Sequence, residues 1–502
     1  MWHVTSLPLC ILAGLLLAGC RKLENEPPGA PATPMGPTTG YVDTAYIFST
    51  SATDPDGDSI AIRFDWGDGQ VSGWSTLVAS GSPVSMLHAY SVAGIYHITA
   101  KAKDIHGDES GWSHLHTIMI GVKPSWTKTY GGSYDDCGYS VNQTADGGYI
   151  IAGITYSYGA GGSDAWVVKT DAHGNVRWQK SYGGVADDGS LAIIQTKGGG
   201  YVMAGYTKSY GRGTEDVWVV KMDANGDIEW QKAYGGPDKD WGRSIIQTAD
   251  GRYIIVGGTL SYGAGGMDVL VIKIDAYGEM EWQKTYGGNM FDDGYDVVPT
   301  DDGYLIVGTT ASYGAGGMDM WAIEIDKSGD IKWQNAYGGD NWEWAYSVEP
   351  TADGGYLLVG YTGSYGVGGW DVWAVKIDTK GNIEWQATYG GVADDLGYSV
   401  VHTDDGGYVI AGETYSYGAD GYDVLIIETD AHGKVEWQLP YDGVADDGGY
   451  SVIQTVDGGY VMVGYTCSYG SGAMDIWLIK IDENKDVKVS TKGPPIIDLH
   501  MG

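Results

Sequence analysis

The sequence predicts an all-β chain whose larger part is a seven-bladed β-propeller of four-stranded blades, and three observations carry that reading. The first is composition: 38 Tyr and 20 Trp stand against 3 Phe, and 82 of the 502 residues are Gly. Such a mix suits short strands joined by tight turns rather than helices. The second is a period. Trp126, Trp178, Trp230, Trp282, Trp333, Trp385 and Trp437 follow one another at intervals of 52, 52, 52, 51, 52 and 52 residues, and self-similarity at a fixed spacing marks a repeat architecture. The third is the content of one period. "YGGVADDLGYSVVHTDDGGYVIAGETYSYGADGYDVLIIETDAHGKVEWQ" holds four strand-like runs, "YSVVHT", "GYVIAGET", "DVLIIETD" and "KVEWQ", separated by Asp- and Gly-rich turns. Asp-Gly and Gly-Gly supply the positive backbone angles of tight hairpins. Four antiparallel strands in about 50 residues make a propeller blade.

The elements before the repeat follow in chain order. Leu7 to Leu17 is an apolar run too short to span a bilayer, and Leu17-Ala18-Gly19-Cys20 follows it. This stretch resembles the bacterial lipobox, although the leading "MWH" lacks Lys or Arg. The resemblance implies a signal peptide over 1–19 and a lipidated Cys20, so the protein is expected to be exported and held at the cell membrane or outer membrane by lipid alone, at the cell surface or in the periplasm. Residues 20–37 are Pro-rich and read as an extended tether. From 38 to 122 lies a first domain in which Tyr96, Ile98, Ala100 and Ala102 alternate as in a half-buried strand. "FDWGDG" at 64–69, "HAY" at 88–90 and "GIYHITAKAKD" at 94–104 resemble the polycystic-kidney-disease (PKD) type domain, with Phe-Asp-Trp in place of the more usual Trp-Asp-Phe. That resemblance implies an immunoglobulin-like β-sandwich serving as a spacer or adhesive module.

The propeller is expected over 125–490, with a tail over 491–502. Its last unit ends "DVKVS" and has lost its Trp, while a spare Trp stands in "SWTKTYGG" at 125–132. The strand 125–130 is therefore expected to close the ring as the outer strand of blade seven; the alternative is closure by 487–490. The unit, with "WQKTYGG" at 282–288, "DGGYIIAG" at 146–153 and "DVWAVKID" at 371–378, resembles the propeller repeats of prokaryotic surface lipoproteins.

In an up-and-down blade the loop between strands two and three shares a face with the loop entering the next blade. "SYGAGG" and "YGGxxDD" are those loops, so seven of each crowd one face. Two acidic rings result: Asp136, Asp188, Asp240, Asp292, Glu343, Asp395 and Asp447, and Asp164, Asp216, Asp268, Asp319, Asp371, Asp423 and Asp475. Carboxylates with loop carbonyls suit calcium. Against that, Asp at a strand start accepts loop N–H groups and fixes a glycine-rich turn. The structural role outweighs the other, because an identity in all seven copies answers a need common to all seven.

Function is therefore sought where the symmetry breaks. Blade three has Lys239, Trp241 and Arg243, blade four Phe291, and blade five Trp342, Glu343, Trp344 and Trp370. Aromatics beside acids suit a carbohydrate or protein ligand. Cys137 and Cys467 stand in loops of neighbouring blades and are a candidate disulfide. Asp54, Asp56 and Asp58 of "DPDGD" are candidate calcium ligands, weighed against a solvated turn. Net charge is −36, which repels phosphate backbones and excludes nucleic acid as a natural partner. No nucleophile turn and no zinc spacing occur. The reading is a non-catalytic binding or adhesion protein of the cell envelope, taking glycan or an envelope or extracellular protein on its loop face. The alternatives are an envelope-assembly scaffold and a carboxylate-dependent glycan hydrolase or lyase.

Overall fold

A computed structural model describes residues 25–418, 421–441 and 443–482. The expected signal peptide, Cys20, the strand alternative at 487–490 and the tail 491–502 lie outside the described residues. The described chain contains strands and turns only, in two compact units.

One unit comprises 25–36, 47–86 and 97–116. Its core holds Phe48, Ile60, Ile62, Phe64, Trp66, Ile98, Ala100 and Ala102, and the Phe64 and Trp66 rings stack at 4.9 Å. Ile60–Asp65 pairs antiparallel with Gly94–Asp104, Arg63 opposite Lys101. Along Gly94–Asp104 buried residues alternate with more open ones, as the period of two requires. The Pro-rich segment is not a free tether. Between its prolines, Gly29, Ala32 and Met35 donate their amides to Thr53, Ser51 and Ser49 at 2.9, 2.9 and 2.8 Å. Proline has no N–H to give, so the residues between prolines make the attachments.

The other unit comprises 37–46, 87–96 and 117–482. It contains seven four-stranded antiparallel sheets, six of them over 136–182, 188–234, 240–286, 292–337, 343–389 and 395–441. The seventh joins Asp447–Gln454, Tyr460–Thr466 and Asp475–Ile481 to Trp126–Tyr130. Lys480 lies opposite Trp126 and Ile476 opposite Tyr130. The first strand of each sheet touches the first strand of the next, and the seventh touches the first.

Two devices repeat between sheets. A tyrosine ending a fourth strand donates its hydroxyl to a turn glycine of the following sheet: Tyr182 to Gly226 at 2.6 Å, Tyr234 to Gly278 at 2.7 Å and Tyr389 to Gly433 at 2.8 Å. Tyr130 reaches Gly174 of the first sheet at 2.7 Å. Second, every first strand carries a bulge. The pairing with strand two skips Tyr139, Leu191, Arg243, Tyr295, Tyr346, Tyr398 and Tyr450. A bulge leaves one residue unpaired and re-aims its side chain.

Strand two depends on a glycine opposite the bulge. A Cβ on Gly464 would fall 1.8 Å from the Gly448 carbonyl oxygen, and one on Gly153 1.9 Å from that of Cys137. Backbone on both sides leaves nothing free to move aside. Gly464→Ala is expected to cost about 3 kcal/mol or more in urea unfolding; a loss below about 0.5 kcal/mol would mean that the close approach is not a constraint.

Candidate functional site

The repeated loops resolve into hydrogen-bonded knots. Asp136 is fully buried. Its Oδ2 accepts the Gly132 amide at 2.8 Å and the Ser157 hydroxyl at 2.7 Å, and its Oδ1 accepts the Thr155 hydroxyl. Asp188, Asp240, Asp292 and Asp395 repeat this set on Ser209, Ser261, Ser312 and Ser416. Tyr158 donates its hydroxyl to the Gly131 carbonyl at 2.8 Å. The Ser-Tyr-Gly phrase is thus used up in binding one loop to another. Glu343, expected as a ligand-binding residue, belongs to these knots: it is buried, takes the Gly339 amide at 2.8 Å and the Thr362 hydroxyl at 2.9 Å, and has no face open to a ligand.

The second acidic set lies against the first. Asp164 Oδ2 accepts the Ala160 amide at 2.8 Å. A Cβ on Gly183 would meet Asp164 Oδ1 at 1.8 Å and Asp188 Oδ2 at 2.8 Å. Burial, with the neighbouring carboxylates added, pushes Asp319 up to about 6 and Asp371 up to about 7.

The residues singled out by broken symmetry form two groups. Lys239 Nζ lies 3.4 Å from Glu215 Oε1, and Trp241 Nε1 donates to Glu215 Oε2 at 2.7 Å. Arg243 is the bulge residue of its strand and binds Asp293 through Nη2 at 2.7 Å. In the other group the Trp344 ring lies 5.7 Å from Trp342, 5.9 Å from Trp370 and 5.6 Å from Tyr361. Phe291 is half-buried and joins neither group.

Sequence reasoning missed the centre of the site, which is the belt of bulge residues. Tyr139 and Tyr450 stack at 5.3 Å, and Tyr450 meets Tyr398 at 5.1 Å. Tyr398 meets Tyr346 at 5.1 Å and Tyr346 meets Tyr295 at 4.7 Å. The Arg243 guanidinium then lies 4.5 Å from the Tyr295 ring centroid. Burial holds Tyr295, Tyr346, Tyr398 and Tyr450 above the ordinary phenol range, so they are neutral donors.

Two buried carboxyls stand beside this belt. Asp293 is 0% exposed and ion-paired with Arg243. Glu413 is 5% exposed; its Oε2 receives a long 3.4 Å bond from the Tyr398 hydroxyl, the Tyr450 and Tyr465 hydroxyls stand around the carboxyl, and its Oε1 makes no hydrogen bond of ordinary geometry. Burial raises it to about 7, against the pull of the surrounding phenols Tyr465, Tyr450 and Tyr398. Glycines make room for both. A Cβ on Gly448 would sit 2.2 Å from Glu413 Oε1, and one on Gly258 2.4 Å from Asp293 Oδ1. The available signal was a column of the repeat. Where strand two has Ile154, Tyr206, Gly258, Thr309, Tyr361, Glu413 and Tyr465, no residue type dominates.

Two further expectations are settled by geometry. Cys137 and Cys467 are free thiols. Cys137 is buried on its strand, its thiol pushed up to about 12 by burial, while Cys467 is exposed on a loop. Asp54, Asp56 and Asp58 do not converge as calcium ligands. Asp54 Oδ1 accepts the amides of Asp56 and Asp58 at 3.0 Å each, Asp56 accepts the Glu26 amide at 2.8 Å, and Asp58 faces His106 at 3.4 Å. Asp405, Glu428 and Glu436 do gather ligand atoms within 4.8 Å of one another, where the first and seventh sheets have the ion pairs Lys169–Asp146 and Lys480–Asp457.

No protein-family model matches the sequence, and no curated protein is similar to it. Solved structures similar to it include the PKD domain of a peptidase from a Thermoplasmatales archaeon, at 38% identity over 20% of this chain and 100% of that one, with a TM-score of 0.19. An ACO/RPE65 chimera is 10% identical over 82% of this chain and 94% of its own, with a TM-score of 0.35. A variant of the Synechocystis apocarotenoid oxygenase is 9% identical over 82% and 97%, with a TM-score of 0.34. The expectation of a non-catalytic adhesion protein without a catalytic constellation is corrected here. Two of these similar structures are of oxygenase type by name, but at such TM-scores no chemistry carries across. Within this chain, the group that expectation left out is Glu413, a carboxyl raised by burial among tyrosine hydroxyls, with its Oε1 unpartnered.

The raised carboxyls fix a pH dependence. Asp319, Asp371, Glu413 and Glu428 are raised to between about 6 and about 7, so the folded chain binds more protons than the unfolded chain above their ordinary values. Stability is therefore fullest below about pH 4 on this account and is lost as pH rises through the folded values. The thermal midpoint is expected to fall between about pH 5 and about pH 8, and Asp371→Asn to flatten that fall. A midpoint that rises across this window would contradict the assignment.

Proposed function

We propose that the chain is an envelope-anchored glycan-cleaving enzyme, a hydrolase or lyase, whose proton-handling carboxyl is Glu413. In this reading the seven sheets close into a seven-bladed propeller through the strand Trp126–Tyr130, an immunoglobulin-like PKD-type domain precedes it, and Cys20 carries the lipid. The observation that carries the proposal is Glu413 itself: buried, one oxygen unpartnered, poised near neutrality and ringed by phenols. A carboxyl with a value near the working pH can both hold and release a proton, the requirement for a general acid. Glu413 gives its proton to the glycosidic oxygen as the C–O bond breaks. Water then adds to the sugar carbon in hydrolysis and returns a proton to the Glu413 carboxylate, or that carboxylate takes up the neighbouring C–H proton in elimination.

The other residues take supporting roles. Arg243 keeps Asp293 paired, and so a charged guanidinium–carboxylate unit stands at one end of the tyrosine belt. Tyr346 adjoins Tyr361 at 5.6 Å, which continues into Trp344 and Trp370. These faces suit pyranose stacking beside the reacting bond.

The test is release of reducing ends from a panel of polysaccharides by the mature chain. Glu413→Gln is expected to lower the rate by roughly 100-fold or more, with activity declining above about pH 7 as the Glu413 proton is lost. An unsaturated sugar in the product identifies elimination, and its absence hydrolysis. Full activity in Glu413→Gln, or no cleavage of any polysaccharide, would dispose of the proposal.

A further inference from the structure

We propose that the strand-paired face around Arg63 is a second, non-catalytic site that binds an anionic glycan of the polyuronate class. Between residues 25 and 122 the sequence holds ten Asp and Glu but only three Lys and Arg: Arg63, Lys101 and Lys103. All three meet on one face. Arg63 and Lys101 are directly opposite each other across Ile60–Asp65 and Gly94–Asp104, and Lys103 is opposite Ala61. Alternation along both strands turns these residues away from the apolar core.

Two tryptophans complete the surface. The Arg63 guanidinium lies 4.6 Å from the Trp74 ring centroid and 5.7 Å from that of Trp112. Lys103 Nζ stands 4.6 Å from Trp74, and Lys101 Nζ 5.7 Å from Trp112. Trp112 is 42% exposed. Glu109 neutralises part of the charge, 2.7 Å from Lys101 and 3.7 Å from Arg63, and leaves the face net positive. Arg63 Nε has no hydrogen-bond partner.

The ligand class follows from these groups. Indole faces stack on pyranose rings, and a guanidinium recognises a carboxylate with matched geometry. A neutral glycan would need the indoles alone, and an acidic peptide would need no row of flat faces. A uronate polymer presents a flat ring and a carboxylate in every residue. The chain as a whole carries −36, so this face is a positive patch on a chain that otherwise repels polyanions. The site stands on observations separate from Glu413, and either assignment can fail alone.

The test is affinity electrophoresis of the mature chain carrying Glu413→Gln, so that cleavage cannot erode the probe, in gels containing polygalacturonate, alginate or neutral dextran. Retardation by the two polyuronates and not by dextran is expected, weakening as salt is raised. Trp112→Ala, at an exposed position, and Lys101→Glu with Lys103→Glu are each expected to weaken binding about tenfold or more. Their unfolding midpoints should stay at the parent value. No retardation, equal retardation by dextran, or unchanged binding in the variants would overturn the site.

Discussion

The carboxylate at the head of each first strand is the interaction on which the rest depends. In the first sheet Asp136 gathers the hydroxyl of Thr155 at the end of strand two, the hydroxyl of Ser157 in the next loop and the amide of Gly132 in the incoming loop. Three separate segments converge on one side chain. Burial makes leaving any of these hydrogen bonds unmade expensive. Sheet five performs the same task with a longer side chain, Glu343. This knot and the tyrosine staple, from Tyr182 to Gly226 and at most of its counterparts, hold the frame without using the side chains at the bulge.

That division explains what could be read from the sequence. The repeat, the four runs per period and the outer strand Trp126–Tyr130 were legible because tryptophan, aspartate and glycine recur wherever a sheet needs them. The site was legible only in part. Lys239, Trp241, Arg243, Trp342, Trp344 and Trp370 were found because they interrupt a repeated loop phrase, and the structure does gather them in two groups. Tyr295, Tyr346, Tyr398 and Tyr450 were passed over because, with Tyr139, the same residue type fills five of the seven copies and so does not break the symmetry. A bulge breaks the period of two, and with it the rule that assigns side chains to faces. Nothing in the order of residues announces that Tyr398 and Glu413, fifteen positions apart, share a hydrogen bond.

Asp293 and Glu413 show how neighbours decide what a buried acid becomes. Each needs a missing side chain nearby, at Gly258 and Gly448. Asp293 meets a guanidinium and is held as half of an ion pair. Glu413 meets phenols, which can donate hydrogen bonds but supply no positive charge, and burial keeps its proton within reach of neutrality. The same economy governs the outer sets, where Asp319 and Asp371 face other carboxylates and rise for the same reason. The acidity of the chain is therefore of two kinds: solvated charge that keeps the surface repulsive, and interior carboxyls whose protonation is set by what surrounds them.

The pairing of Trp126–Tyr130 with Asp475–Ile481 has a consequence in time. Ser125 donates its amide to the Lys480 carbonyl at 2.8 Å across 355 residues of chain. A ribosome must add 355 residues after Ser125 before that bond can form. Until then the seventh sheet lacks an outer strand, and the early segment at 126–130 has no partner to pair with. Contacts between such distant parts of a chain form late. Completion of the seventh sheet is thus postponed by topology until Asp475–Ile481 has been made, long after the strand that finishes it.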